Sequence, residues 1–220
     1  MQKIFKSELQ YKRVLWLTIG FLWLVHLSAV IGINLGYEEW FITKTPFNLL
    51  LIFVSMLLLY PLTEKRSFLV FLWIFLGGMI AEIIGVNTGL LFGDYVYAHN
   101  LGPKIGGVPI LIGINWAVLV ICGAEIANQT QFSLYVKAAI GALLMVLLDF
   151  LIEPLAPGLG FWSWTTPDAP LFNYITWFVL AFLLNVLFLK SGVKGNKTLV
   201  VNIYLTQLVF FGSLYVTKIL

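Results

Sequence analysis

The stretch AEIIGVNTGLLFGDYVYAHNLGPKIGGVPILIGINW, residues 81–116, is the most informative part of this 220-residue chain. It begins with a glutamate inside an apolar run, passes through a loop rich in glycine and aromatic residues, and enters a second apolar run that carries Asn115 and Trp116. An ionisable side chain at membrane depth costs roughly 3 kcal/mol or more unless it faces a protein interior or a cavity. Glu82 is therefore a candidate functional residue.

The composition outside this stretch indicates an integral membrane protein. Hydrophobic residues make up 60% of the chain and charged residues 10%, whereas soluble domains carry about 25% charged residues. The apolar runs are continuous and close to 20 residues long, which is typical of membrane helices and not of the alternating strands of a barrel. We expect an all-α, polytopic membrane protein that forms a single transmembrane domain over residues 1–220.

The apolar runs predict seven transmembrane helices. The first is too long for a signal-peptide core, and no small-x-small cleavage site follows it. The predicted spans are 14–35, 46–62, 68–91, 108–127, 132–152, 171–189 and 198–218. With a cytoplasmic N-terminus, Lys44, Lys104 and Lys218 fall outside, and the other ten of the 13 lysines and arginines fall inside, as positive-inside topology requires. We expect a multi-pass protein of the inner (cytoplasmic) membrane.

This topology brings the unusual polar residues of five spans near one surface. The third span runs outward, so Glu82 lies roughly 13 Å from its outer end at 1.5 Å per residue. The other members of this layer are His26, Asn115, Trp116, Asp149, Glu153, Asn173 and Trp177. Two long loops, residues 92–107 and 154–170, cover the same side. The sequence therefore predicts a polar pocket that opens toward the outer leaflet.

Three carboxyl groups are the candidate acids and bases of this pocket: Glu82, Asp149 and Glu153. A low dielectric raises the pKa of a carboxylic acid, and a second carboxylate nearby raises it further, so such a site can protonate a weak base at neutral pH. Asn115 is a further candidate catalytic residue of this pocket. The structural alternative is that each carboxylate caps a helix, binds a loop amide or pairs with a lysine, and the sequence leaves it open.

Aromatic and polar side chains on the same side are candidate substrate-binding residues. A cation over an aromatic ring is stabilised by roughly 0.5 to 2 kcal/mol, although Trp and Tyr are also enriched at any membrane interface. The candidates are His26, Thr88, Tyr95, Tyr97, Trp116, Trp162, Trp164, Asn173 and Trp177.

Several other functions and sites are not expected. No basic block suits nucleic acid. Two histidines and one cysteine exclude a histidine-rich or thiolate metal site, and no Rossmann or P-loop phosphate motif is present, so we expect no metal and no cofactor. We interpret Cys122 as a packing residue, the glycines around Gly78 and Gly85 as sites of close helix packing, and Glu125 as an interfacial residue at the inner end of its span.

Four motifs carry a family resemblance over the third to sixth spans. They are EIIGVNTGLLFGDYVY at 82–97, LGPKIGGVPILIGINW at 101–116, DFLIEPLAP at 149–157, and GFWSW at 160–164 followed by NYITW at 173–177. In these motifs the chain resembles the membrane-bound carotenoid biosynthesis proteins of the carotenoid 1',2'-hydratase family.

The resemblance implies that water is added to the terminal double bond of an acyclic carotenoid end, which gives a tertiary alcohol. The implied partners are a carotenoid of the lycopene or gamma-carotene type, water and the lipid bilayer, with other carotenoid-pathway enzymes or a second copy of the chain left open. Three alternatives also stay open: a membrane lycopene cyclase that shares the protonation step, a small transporter, and a structural subunit. The sequence contains no convincing inverted repeat of the kind that transporters use.

Overall fold

The computed structural model describes residues 5–219, with side chains through Thr217. Eight α-helices and four short strands form in this range. The helices are α1 (Glu8–Asn34), α2 (Glu38–Ile42), α3 (Thr45–Leu59), α4 (Lys65–Thr88), α5 (Ile110–Ala127), α6 (Leu134–Ile152), α7 (Leu171–Ser191) and α8 (Lys197–Ile219). The strands are β1 (Tyr95–Tyr97), β2 (Lys104–Ile105), β3 (Val108–Pro109) and β4 (Trp162–Trp164).

The helical membrane class is confirmed, since six of the described helices are long and apolar enough to cross a bilayer: α1, α4, α5, α6, α7 and α8. The second predicted span forms α3, an apolar helix of 15 residues. At 1.5 Å per residue it is about 22 Å long, shorter than a hydrocarbon core of about 30 Å. Seven spans and a cytoplasmic N-terminus therefore remain predictions. Lys3, which the orientation argument counts on the inside, lies outside the described residues.

Helix α5 forms the centre of the bundle. Most of its side chains are buried, whereas the other long helices expose much of their apolar surface, as expected for helices that face lipid. Glycines allow the close approach of its neighbours. A Cβ on Gly123 would lie 2.8 Å from the carbonyl oxygen of Gly141 in α6, and a Cβ on Gly78 in α4 would lie 2.7 Å from the Cβ of Trp116. The expected role of Gly78 in close packing is confirmed.

The segment after α4 turns sharply so that the loop can cover the bundle. Gly89 ends α4 in the left-handed conformation with φ of 68°, which a side chain would strain. The chain then forms β1, which pairs antiparallel with β4 from the other long loop. The two loops thus form one cap over the ends of α4 and α6.

The small sheet in the cap was not predicted from the sequence. Tyr95 lies opposite Trp164, and Tyr97 lies opposite Trp162. Because side chains alternate along a strand and directly paired residues share a face, these four aromatic side chains all lie on one face of the sheet. That face is turned toward the carboxylates of the helices, as the hydrogen bonds described below show.

Candidate active site

A cavity of about 590 Å³ lies beneath the cap and extends between the helices. It brings together twelve of the thirteen residues that the sequence singles out as candidate site residues, drawn from five helices and both strands of the cap. They are His26, Glu82, Tyr95, Tyr97, Asn115, Trp116, Asp149, Glu153, Trp162, Trp164, Asn173 and Trp177.

Glu82 is held by three donors. The hydroxyl groups of Tyr95 and Tyr97 donate to Oε2 at 2.5 and 2.8 Å, and the indole Nε1 of Trp116 donates to Oε1 at 2.9 Å. The carboxylate is only 2% exposed. Its donors come from β1 and α5, so three separate parts of the chain fix its orientation.

Asp149 and Glu153 lie one helical turn apart and share a donor. The amide Nδ2 of Asn173 is 3.1 Å from Asp149 Oδ2 and 3.1 Å from Glu153 Oε1. The other oxygen of Glu153 accepts hydrogen bonds from the indoles of Trp162 at 3.0 Å and Trp164 at 2.6 Å. Two carboxyl groups so close to one nitrogen interact strongly, and such a pair is expected to share a proton.

The walls of the cavity are aromatic. The rings of Trp116 and Trp177 are stacked with their centroids 4.0 Å apart and an angle of 19° between their planes. Tyr95 lies 5.0 Å from Trp164, and Tyr97 lies 6.0 Å from Trp162. These rings surround the carboxylates with π faces and with indole and phenol donors, which suits a site where positive charge develops.

Electrostatics favour neutral donors around the acids. Burial, together with the nearby Glu82 carboxylate, raises the pKa of the Tyr95 and Tyr97 hydroxyls, so both stay protonated and donate. Burial also raises the pKa of Glu153, although the hydrogen bonds from Trp162, Trp164 and Asn173 counteract the rise.

Two amide side chains of the cavity were missed by the sequence analysis. Asn48 of α3 and Gln207 of α8 both line it, beside His26. His26 Nδ1 lies 2.7 Å from the carbonyl oxygen of Leu22, which can only accept, so Nδ1 carries the proton and Nε2 accepts from Asn48 Nδ2 at 3.3 Å. A signal for both was present, because each is an amide side chain inside an apolar run.

Thr88 and Glu125 differ from expectation. Thr88 is the one candidate that does not line the cavity. It lies at the exposed end of α4, and its hydroxyl donates to the carbonyl of Ile84 at 2.6 Å, as expected where a helix ends in solvent or headgroups. Glu125 is not an exposed interfacial residue. It is 1% exposed and accepts hydrogen bonds at Oε1 from the Tyr60 hydroxyl and the Gly195 backbone, both at 2.7 Å.

The carboxyl groups of the cavity do not form a metal site. Within residues 5–219, no three His, Cys, Asp or Glu side chains lie close enough together to hold a metal ion. The expectation that no metal or cofactor is used remains a prediction.

The fold and cavity define a multi-pass helical membrane protein with buried acids beneath an aromatic cap. The model of the family described as "Carotenoid biosynthesis protein" matches residues 44–219, so the chain belongs to this family. It is also similar to the bisanhydrobacterioruberin hydratase of Haloarcula japonica, with 27% identity over 132 residues. The aligned region covers 54% of this chain and 43% of that relative, which is less than half of its length. No solved structure matches the chain.

Proposed function

We propose that the protein is a carotenoid hydratase, which adds water across the terminal 1',2' double bond of an acyclic carotenoid end. The family membership and the printed name of the relative support a hydratase acting in carotenoid biosynthesis. One observation carries the proposal furthest. Three buried carboxyl groups line one cavity, and within the described residues no lysine or arginine forms an ion pair with any of them. Their donors are phenols, indoles and one amide.

The coupled pair supplies the proton. Asp149 accepts a hydrogen bond only from Asn173 within the described residues, whereas Glu153 accepts three. We assign the role of proton donor to Asp149, because it accepts the fewest hydrogen bonds of the three acids. Glu153 is its ionised partner. The O–H bond of Asp149 breaks as its proton adds to the alkene carbon that bears a hydrogen atom. The other alkene carbon then becomes a tertiary cation.

Glu82 and Asn115 act on the water. An ionised carboxylate has about four lone-pair sites, and three at Glu82 are used by Tyr95, Tyr97 and Trp116. The remaining site accepts a hydrogen bond from one water molecule, which Asn115 helps to orient. As the water oxygen bonds to the cation, Glu82 takes the released proton. The proton returns to Asp149 through cavity water, so the net change is the addition of one water to the alkene.

The aromatic walls stabilise the cation between these two steps. Trp116 and Trp177 present a stacked pair of rings to the cavity. A cation over such a ring gains roughly 0.5 to 2 kcal/mol. The carotenoid and one water are the proposed reactants, without a cofactor, and the cytoplasmic membrane is the proposed location. Association with other carotenoid-pathway enzymes or with a second copy is left to experiment.

Expression in a bacterium that accumulates lycopene and gamma-carotene tests the proposal. The pigments are extracted and weighed by mass spectrometry, and we expect a product heavier by one water that is absent from the empty-vector control. Asp149→Asn and Glu82→Gln should each reduce this product by about 10² to 10⁴-fold. Glu125→Gln is the matched control, because Glu125 is an equally buried glutamate outside the cavity, and it should retain the activity.

Three other outcomes of this experiment would contradict the proposal or part of it. A product of unchanged mass with altered retention and spectrum would indicate a cyclase. Unaltered pigments, with the protein verified in the membrane, would reject hydration of these carotenoids. Full activity in both cavity variants would reject the assignment of acid and base.

A further inference from the structure

The exposed residues that line the cavity all belong to one segment of the described chain. Among its lining residues in the described part of the chain, four side chains are exposed, and the remaining ones are buried or half-buried. The four are Ser28, Trp40, Lys44 and Phe47, which we call the mouth. All four lie between the outer half of α1 and the first turn of α3.

One edge of the mouth, Ser28, lies at the depth of Glu82, and the other mouth residues lie at the end of the bundle, in α2 and at the start of α3. Ser28 precedes the last residue of α1, Asn34, by six positions, and Glu82 precedes the last residue of α4, Thr88, by six positions. At 1.5 Å per residue, both lie about 9 Å from the ends of their helices. An entering molecule could therefore reach the carboxylates by moving sideways between α1 and α3.

The contacts around the mouth hold α2 against α1 and give the opening a polar rim. Phe41 of α2 packs directly onto Gly32 of α1, where even a Cβ would collide with the ring, so α2 is fixed across the end of the gap. The ammonium group of Lys44 lies 5.5 Å from the ring of Trp40. Below this rim, the opening is bordered by Phe47 and the half-buried Ala29, which an apolar molecule can contact without desolvating a charge.

We propose that the mouth is a lateral entrance through which one end of a linear isoprenoid chain passes from the lipid to the carboxylates, while the rest of the chain stays in the bilayer. The proposal rests on the proposed function, because the occupant is the acyclic carotenoid. A polyene is insoluble in water and dissolves in the bilayer, so an entrance at the side of the bundle spares it from crossing the aqueous phase. Within the described chain, no residue of the cap both lines the cavity and is exposed.

A bulky side chain at the mouth tests the entrance. Ser28→Trp narrows the gap, and Leu27→Trp is the matched control, because Leu27 is the next residue on the same helix, is 43% exposed and does not line the cavity. Both variants are produced in the lycopene-accumulating strain. Two quantities are measured: the lycopene that copurifies per protein in mild detergent, and the hydrated product formed.

We expect Ser28→Trp to reduce both the copurified lycopene and the product at least tenfold. In Leu27→Trp, both quantities should stay within twofold of those of the unchanged protein. Equal lycopene and product in the two variants, at equal thermal stability, would overturn the entrance. Should Ser28→Trp fail to fold, Ala29→Leu narrows the same gap with a smaller change and is held to the same criteria.

The binding measurement separates this proposal from the proposed function. If the unchanged protein formed no hydrated product but bound lycopene, and only the mouth variant lost the pigment, hydration would be rejected and the entrance would stand. If the protein hydrated lycopene and the mouth variant kept both binding and product, the entrance would be rejected and the hydratase would stand. If no variant differed in bound pigment, the entrance would be rejected whatever the activity.

Discussion

Replacement of Asn173 by leucine removes the donor that Asp149 and Glu153 share while nearly preserving the shape of the side chain. Asn173 is 1% exposed, and leucine offers neither carboxyl group a donor in its place. Asn185 of the same helix offers a matched control. It is fully buried, its Nδ2 donates to the Ala181 carbonyl at 2.8 Å, its Oδ1 has no hydrogen-bond partner, and it lies outside the cavity.

The expected loss follows from the two hydrogen bonds that disappear. A hydrogen bond to a charged group contributes about 1.5 to 3 kcal/mol, and one to a neutral group about 0.5 to 1.5 kcal/mol. If the pair Asp149–Glu153 holds one proton, Asn173→Leu costs the sum, about 2 to 4 kcal/mol. For a chain of this size, 1 kcal/mol shifts the melting temperature by roughly 2 to 4 °C, so we expect a fall of about 5 to 15 °C.

Asn185→Leu should cost about 0.5 to 1.5 kcal/mol of the free energy of unfolding, because it removes one hydrogen bond between neutral groups and an oxygen that already lacks a partner. The assay is tryptophan fluorescence during heating in detergent, followed by conversion of lycopene in membranes. We expect Asn173→Leu to lose about 10²-fold of the product, since small displacements of catalytic groups have effects of that size. A melting temperature and activity in Asn173→Leu equal to those of Asn185→Leu would refute the reasoning about the shared amide.

Two further predictions concern packing and pH. Gly78→Ala should force Trp116 away from α4, lower the free energy of unfolding by about 1 to 3 kcal/mol and reduce activity. Gly20→Ala is the control, because nothing lies within 4 Å of its added Cβ, and it should change neither stability nor activity. Equal melting curves and equal conversion of lycopene in the two variants would contradict this prediction. The raised pKa of Glu153 means that the folded protein keeps a proton that the unfolded chain loses near pH 4.3. The free energy of unfolding should therefore fall as the pH rises from about 4.3 through the pKa of Glu153 in the folded protein. The melting temperature of Glu153→Gln should depend less on pH. An equal dependence of the melting temperature on pH in this variant would exclude Glu153 as the cause.

The helices and the layer of acids were accessible from the sequence because both depend on local patterns. Continuous apolar runs predict membrane helices, and the rise per residue then places Glu82 and Asp149 at comparable depths. The outer loops were expected to cover the site. Their pairing was not predicted, since β1 and β4 are only three residues each and are separated by a long stretch of chain. The alternating YVY and WSW patterns were the available signal.

The errors concern contacts that depend on distant segments. Glu125 lies near the inner end of its helix, where an exposed position is usual, but Tyr60 and Gly195 approach it from 65 and 70 residues away. Gln207 belongs to the last helix, whose contact with the cavity depends on how α8 packs on α1. Sequence spacing carries no information on such packing, so neither environment could be predicted.

Within residues 5–219, all side-chain donors to the three acids are synthesised after the acids themselves. Glu82 receives its donors from residues 13, 15 and 34 positions later in the chain. Glu153 receives its own from 9, 11 and 20 positions later, and Asp149 from 24 positions later. During biogenesis, each carboxyl group therefore leaves the ribosome ahead of all of these partners. Its hydrogen bonds form only when the following loop and helix emerge, so the donors gather around the candidate acids from the N-terminal side.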